Sequence, residues 1–562
     1  MAAAEQPSRP LRFGVLCDGE SLAAWQLSCV EALGRVVGVS AALLMVREPA
    51  PASERGGVLW RFYSQRVADR ASASAAARPL SQALTRLPVM RLGPGEPGSS
   101  DLEKIRDLAL DFVIDFSAGG LRAAIHGAAR HGVWFFHFGE PAGPSSTPPG
   151  FWEIYRGAPV TFASLRRVTG DGGAEEVLQE GCFKTNPFSF VRNRDQLLRE
   201  AAAWPARVCM NLDEGSTAAA GLDVVPTAGG RDPGQPSNVQ FLWFLARLAG
   251  GLTAKVYQRL FRHQQWQVGV IDAPIHQLAG LTDEEPATPS VRWIPNPAGR
   301  FLADPFAVER GTADGGLLLV AEDYRWSTAR GGISALAIGD SHAGEPTTLF
   351  DFPYHMSYPF LFRHEGRLFC VPETNEAREV GLYVLDEESL AWTKDCVLLP
   401  GRRLADSTLF EWDGRWWLLA TDIEDEQVRN LHAWFAPDLR GPWQEHPQNP
   451  VKIDVRSSRP AGRPFIHDGS LYRPAQDCSL TYGGAVAINH VLCLTPTHYR
   501  EKTVTVVRPR PEWPLRDGLH HLCGVGERTI IDACEARFEW RALVATLTGG
   551  LGKLRAGRGQ LP

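Results

Sequence analysis

Residues 404–422 read LADSTLFEWDGRWWLLATD: an apolar strand opened by Ala405-Asp406, a loop with Gly414, and an aromatic-rich return strand. The same pattern recurs along the C-terminal half. Ala303-Asp304-Pro305-Phe306 leads to Gly316-Leu317-Leu318-Leu319-Val320, and Ser357-Tyr358-Pro359-Phe360 leads to Gly366-Arg367-Leu368-Phe369. Gly462-Arg463-Pro464-Phe465-Ile466 leads to Gly469-Ser470-Leu471-Tyr472, with a weaker fifth copy at His520-His521-Leu522. The copies are offset by roughly 48 to 58 residues, the length of one four-stranded blade, so the repeat predicts a five-bladed β-propeller over residues 291–540. Each copy's first strand would open on the central channel. The opening positions hold Asp304, Tyr358, Asp406, Arg463 and His521, polar residues of four types rather than one, as expected of a binding site built on a symmetric scaffold.

Upstream, short apolar runs alternate with helical patterns. Leu11–Cys17, Val39–Val46, Val89–Leu92, Asp111–Phe116 and Val133–Phe138 read as strands, with helices from Ser21, Asp101 and Ala123 between them. This alternation predicts an α/β domain with a parallel sheet over residues 1–205, and ligands in such sheets bind beyond the carboxyl ends of the strands. Residues 206–290 shift in composition and read as a connector that carries the helical stretch Val239–Phe261 and, after it, Gln267–Ile271, a piece able to join the propeller. That stretch is broken by Arg247, Gly250-Gly251, Lys255 and Arg259, so it reads as a packed or amphipathic helix that can rest on a membrane face, not a span. Residues 541–562 form a tail.

The 562 residues carry a net charge of −6 with cations scattered, which argues against a nucleic-acid partner. Ten cysteines without a CxxC pair predict a reduced, cytoplasmic chain with neither a disulfide framework nor a zinc site, and no secretory signal is read at Met1–Pro10. No metal-ligating pattern, Walker loop, GxGxxG after the first strand, HExxH or GxSxG appears. Seventeen tryptophans suit propeller cores and sugar stacking alike.

The phrases FLADPF (301–306), SYPFLF (357–362), VPET (371–374) and RPAQDCSLTYGG (473–484), with residues 404–422, carry a family resemblance. The segment resembles the five-bladed glycoside hydrolases of the arabinanase and xylosidase type. It is more closely similar to the N-terminal domain of plant glucosamine inositolphosphorylceramide transferase and its bacterial relatives. The resemblance implies a general base at Asp304 and a partner at Asp406 that orients and tunes the acid. The hydrolases' acid Glu opens the fourth blade, where this chain has Ala461-Gly462-Arg463. Glu373 is the substitute expected here, with Glu322 and Asp477 behind it. Inverting hydrolysis needs both a base and a protonated carboxyl, so the departure weakens simple hydrolysis. Arg459, Arg463 and Arg473 cluster on the same blade, and guanidinium forks suit a phosphorylated substrate; the alternative is that they pair with Asp468 or Asp477.

The first domain more faintly resembles the methionyl-tRNA and sugar N-formyltransferases, on Asp111–Phe116, on HGVWFFHFG (131–139) and on GFWE (150–153). That family uses an Asn-x-His pair and a downstream Asp. His137 matches the His, Phe135 stands at the Asn place, and Asp171 lies two residues from the Asp place, so the site is a degenerate remnant. The expected function is the processing or transfer of a sugar unit in glycan or glycolipid biosynthesis. Asp304, Asp406 and Glu373 would be its catalytic residues, and Trp326, Tyr358, Arg463, Arg473, Asp477 and His521 would hold the substrate. No cofactor is expected. The alternatives are a sugar N-formyltransferase, which requires a reduced folate formyl donor, and a non-catalytic glycan-binding module.

Overall fold

The computed structural model describes residues 10–48, 56–93, 97–117, 121–143, 145, 147–169, 174–212, 224–225, 233–281, 290–310, 316–339, 343–386, 391–425, 428–540 and 543–544. The chain forms two compact units, Met1–Thr253 and Ala254–Pro562.

The first unit is built on an eight-stranded sheet. Its parallel half runs Val89–Leu92, Val39–Arg47, Leu11–Asp18, Phe112–Asp115, Val133–Phe138, and the expected strands are these within a residue or two. Stacked rings fix its centre: Phe13 on Phe112 at 5.4 Å and Phe112 on Trp134 at 4.0 Å. The sheet continues antiparallel through Val160–Thr169, Ala174–Lys184 and Val224–Val225, a half the sequence pattern did not reveal. Its strands carry charges at positions that ordinarily mark solvent. In the fold those charges meet across the ladder, Arg166 with Glu175 at 2.8 Å and Arg167 with Glu176 at 2.7 Å.

The second unit is a five-bladed propeller of antiparallel sheets. The innermost strands of blades one to three are Arg300–Glu309, Ser357–His364 and Leu404–Trp412, and those of blades four and five are Phe465–His467 and Gly518–Val525. The last blade is closed from upstream. Its inner strands Gly518–Val525 and Arg528–Arg537 are completed by His263–Ile271 and Val291–Trp293, and His263 to Ile271 pairs residue for residue with Arg537 to Thr529. Joining the two ends of the propeller in one sheet removes the open edge that a linear array of blades would leave.

The innermost strands of blades one, two, three and five are kinked where they meet the channel. The register slips between Ala303 and Phe306, Ser357 and Phe360, Ala405 and Thr408, and Leu519 and His521. At the bulges Asp304, Tyr358 and Asp406 adopt left-handed backbone, with φ of +48°, +43° and +54°. The fourth blade places Gly462 there, with φ of +128°, and the fifth places His520. The positions that open blades four and five are therefore Gly462 and His520, one residue before the Arg463 and His521 of the sequence pattern, because the bulge takes up an extra residue that a strand-by-strand alignment does not see.

A left-handed L-residue costs on the order of 1 kcal/mol, and each bulge is held by a bond from another blade. The amide of Asp304 donates to Asp532 Oδ2 at 2.9 Å, that of Tyr358 to Asp304 Oδ2 at 3.3 Å, and that of Asp406 to Glu373 Oε2 at 3.2 Å. The Gly462 amide donates across the channel to the Tyr358 hydroxyl at 2.9 Å. A Cβ on Gly462 would lie 2.1 Å from the Leu522 carbonyl oxygen. Gly462→Ala is therefore expected to destabilise the propeller by more than about 2 kcal/mol in urea unfolding. Gly414→Ala, at a turn with positive φ but open space around it, should cost only about 1 kcal/mol.

Candidate functional site

The bulges and the adjoining ends of the second strands bring a group of carboxylates to one mouth of the channel. Asp304 and Asp406 come from first strands, and Glu322, Glu373 and Asp532 from second strands; all five are buried. The pairing explains the convergence: Glu322 lies opposite Ala303 and Glu373 opposite Ser357, each beside a bulge.

The partners differ from one carboxylate to the next. Asp406 is clasped by Arg459, whose Nε donates to Oδ2 at 2.5 Å and Nη2 to Oδ1 at 3.2 Å, while Gln476 Nε2 donates to Oδ2 at 3.1 Å. The same guanidinium lies 5.2 Å from the centre of the Tyr482 ring. Glu373 accepts from Asn375 Nδ2 at 2.7 Å as well as from the Asp406 amide, so both of its oxygens are engaged. Asp304 Oδ1 faces His520 Nε2 at 3.3 Å, and His520 Nδ1 lies 2.7 Å from Asp532 Oδ1. The His520 ring is stacked at 3.8 Å on Trp266. Glu322 has the weakest support. His355 Nε2 approaches its Oε1 at 3.6 Å, and that nitrogen carries the imidazole proton because Nδ1 accepts from the Gly331 amide at 3.0 Å.

These surroundings separate the titrations. Burial pushes Asp304 up to about 7, against the pull of His520 and with the push of Asp406 and Asp532. Burial raises Asp406 to about 6, with Arg459 holding it down. Glu322 is raised well above the ordinary carboxyl range, first by burial and then by Asp304, Glu373, Asp532 and Asp406 around it. Burial works against a charged His520, but Asp532 and Asp304 outweigh it and raise the imidazole. The mouth thus holds one carboxyl, Glu322, raised well above the ordinary range beside Asp304 and Asp406, which titrate lower at about 7 and about 6, and such a separation suits acid–base work on a glycosidic or phosphoester oxygen.

Asp304, His520 and Asp532 also place one ligand atom each within 4.8 Å of one another, which makes them the candidate metal group among the described residues. Both ring nitrogens of His520 already face a carboxylate, an arrangement suited to passing a proton between Asp304 and Asp532.

Of the residues read from sequence, the structure brings Asp304, Asp406 and Glu373 together. Tyr358 is fully buried below them, its hydroxyl bonded to Thr408 Oγ1 at 2.8 Å, so it braces the channel. Trp326 packs at the edge of Phe301 and Tyr324, with its Nε1 donating to Gln265 at 3.3 Å. His521 is buried against Phe306 and Tyr358 and is lowered by burial to about 3, which keeps it neutral. Arg463 leaves the site. Its Nη2 donates to the Ala307 carbonyl, and it lines a cavity of about 560 Å³ with Glu309, Arg310 and Arg363 at the other ends of the strands. Arg473 is consumed structurally, donating to Glu501 at 2.6 and 3.0 Å and to the Ser457 and Ser458 carbonyls. Asp477 caps its own turn, accepting from the Ser479 amide at 3.0 Å.

Asp532 and His520 enter the site without having been read as site residues from the sequence, while Glu322, read there as a reserve acid, and Arg459, read as one of three clustered arginines, both lie at the mouth. One signal for Glu322 was legible: the second strands read VAED, VPET, LATD and PAQD from residues 320, 371, 419 and 474, which puts Glu322 in register with Glu373 and Gln476. The sequence offers Arg459 only as one of three clustered arginines, and nothing in its irregular segment before Gly462 distinguishes it from Arg463 and Arg473.

In the first unit His137 is buried, lies 3.1 Å through Nε2 from the Glu140 carbonyl, and is lowered to about 4, first by burial and then by Arg166. Phe135, at the Asn place, is covered by the Arg122 guanidinium at 4.0 Å, which is itself paired with Asp115 at 2.6 Å. Asp171 lies outside the described residues.

Removing Arg459 would leave Asp406 buried with Gln476 as its side-chain donor. Arg459→Met is expected to destabilise the protein by about 3–5 kcal/mol. Asp406→Asn in the same background should recover much of that loss, because the stranded charge is gone. Urea unfolding of the two single variants and the double variant gives the coupling directly.

Residues 291–513 match the family model described as glucosamine inositolphosphorylceramide transferase 1, N-terminal. The chain is 37% identical over 227 residues to glucosamine inositolphosphorylceramide transferase 1 of Oryza sativa subsp. japonica, covering 39% of this chain and 30% of that protein. It is 34% identical over 211 residues to the Arabidopsis thaliana protein of the same name, covering 36% and 27%. The exo-β-1,3-galactanase of Phanerochaete chrysosporium, a solved structure, is 11% identical with a TM-score of 0.30, over 37% of this chain and 50% of that one. A glycinamide ribonucleotide transformylase from Symbiobacterium toebii is 13% identical with a TM-score of 0.27, over 40% and 100%. The chain spans less than a third of the length of the plant relatives it matches, and the segment matched by the family model includes Asp304, Glu322, Glu373 and Asp406 but not His520 or Asp532.

Proposed function

We propose that the propeller mouth transfers or processes a sugar unit on a glycolipid-type substrate, with Glu322 as proton donor and Asp304 as the carboxylate beside the sugar's reacting carbon. The observation that carries this reading is the buried cluster of carboxyls in which Glu322 is raised well above the ordinary range and Asp304 to about 7, set on a segment similar to proteins named as glucosamine inositolphosphorylceramide transferases. Glu322 suits the acid better than Glu373. Both oxygens of Glu373 already accept hydrogen bonds, from Asn375 and the Asp406 amide, whereas Glu322 is crowded by carboxylates and meets the more distant His355. In the step, an acceptor hydroxyl or water forms a bond to the anomeric carbon as the bond from that carbon to the leaving oxygen breaks; the proton of Glu322 passes to the leaving oxygen, and Asp304 stabilises the positive charge developing on the sugar and takes the acceptor's proton. Asp406 keeps Arg459 at the mouth, where its guanidinium edge suits a substrate phosphate.

The test is incubation of the full chain with activated amino-sugar donors and a lipid acceptor bearing inositol phosphate, with product read by mass spectrometry. Product that forms with wild type and falls by about 10²–10⁴ in Glu322→Gln supports the reading, and turnover unchanged in Glu322→Gln and Asp304→Asn overturns it. Asp304 must be ionised to act and its carboxyl titrates at about 7, so turnover should rise as pH increases through about 7. The high-lying Glu322 carboxyl should keep its proton across that rise, and Asp304→Asn should abolish the rising limb.

A further inference from the structure

The long helix Asn238–Phe261 presents its apolar residues to solvent. Inward it offers Phe241 and Phe244, packed with Trp60, Phe151 and Phe190, and then Gly251, where a Cβ would lie 2.3 Å from the Pro187 carbonyl oxygen. Outward, Val239 is 77% exposed, Leu242 56% and Trp243 53%, at i, i+3 and i+4 on one helix face. The short helix Val58–Tyr63 extends this surface with Val58 at 62% and Phe62 at 66%. The two helices are joined where the Leu59 amide donates to Asn238 Oδ1 at 3.0 Å. Contiguous apolar surface of this kind marks a docking site.

The charges around it select the occupant. Residues 56–68 and 233–271 contain no Asp or Glu, although the chain as a whole carries −6. Arg61, Arg66 and Arg247 are exposed, and Arg247 lies 5.4 Å from the centre of the Trp243 ring. An isologous pairing of two copies through this surface would bring guanidinium groups against one another with no carboxylate between them. An anionic bilayer offers what the surface lacks, acyl chains for Leu, Trp and Phe and acidic headgroups for the arginines. No helix among the described residues is long and apolar enough to cross a membrane, so the contact is an in-plane one. We infer that the faces of Val58–Tyr63 and of the first half of Asn238–Phe261 dock the first unit on an anionic lipid surface. The inference stands apart from the reaction at the propeller mouth.

Vesicle flotation of the full chain tests it, with phosphatidylcholine alone compared with phosphatidylcholine carrying about 30% phosphatidylserine. Wild type should float with the anionic vesicles and be released at about 0.5 M sodium chloride. Phe62→Glu combined with Trp243→Glu should raise the lipid concentration for half-binding by about tenfold or more, with circular dichroism and thermal unfolding as for wild type. Ile466→Glu, which changes an exposed apolar residue of the propeller, should float like wild type. Absence of flotation, flotation unaffected by the double substitution, or a wild-type dimer that the double variant dissociates without any vesicle binding would each overturn the inference.

Discussion

The structure around the candidate site depends on the hydrogen bond made by a strained amide. At the first strand of blades one, two and three an L-residue is forced into left-handed backbone, and its N–H is captured by the carboxylate of the preceding blade. Each bond does two things. It satisfies an amide that the bulge has removed from the ladder, and it joins one blade to the next at the channel wall. Because the acceptors are Asp532, Asp304 and Glu373, the bonds that close the ring also fix where these carboxylates lie.

Packing so many acids into a buried mouth is unfavourable unless the charges are offset. Three devices share the offset. Arg459 supplies a full positive charge to Asp406, His520 stands between Asp304 and Asp532, and Glu322 is held in its neutral form. The devices are unequal around the ring, which is why a scaffold of equivalent blades yields inequivalent groups. Fold symmetry supplies the positions, and the unlike partners at those positions supply the chemistry.

The two units differ in how openly they show their construction. The parallel half of the N-terminal sheet was legible because its strands are buried on both faces and read as unbroken apolar runs. Its antiparallel half was not, since Arg166, Arg167, Glu175 and Glu176 lie in ladder positions and neutralise one another only after the strands have paired. In the propeller the blade count was legible from the repeated first strands. The closing strand His263–Ile271 carries no copy of that motif, because it serves as an outer strand and never borders the channel.

The sequence by itself determined the propeller, its blade count and the placement of Asp304, Asp406 and Glu373 at one mouth, since a repeat with a fixed register sends equivalent residues to equivalent places. Only the tertiary structure decided the partners. Arg463 and Arg473 look like neighbours of Arg459 along the chain, yet one reaches the far mouth, one is buried against Glu501, and only Arg459 meets a site carboxylate. The bulges take up one residue per blade, which reverses the direction in which the following side chains point, and a single-residue slip in a strand exchanges the faces of everything after it. That local geometry is set by contacts between blades more than 50 residues apart, such as Asp304 with Tyr358 and Asp406 with Arg459, and no pattern read along the chain contains it.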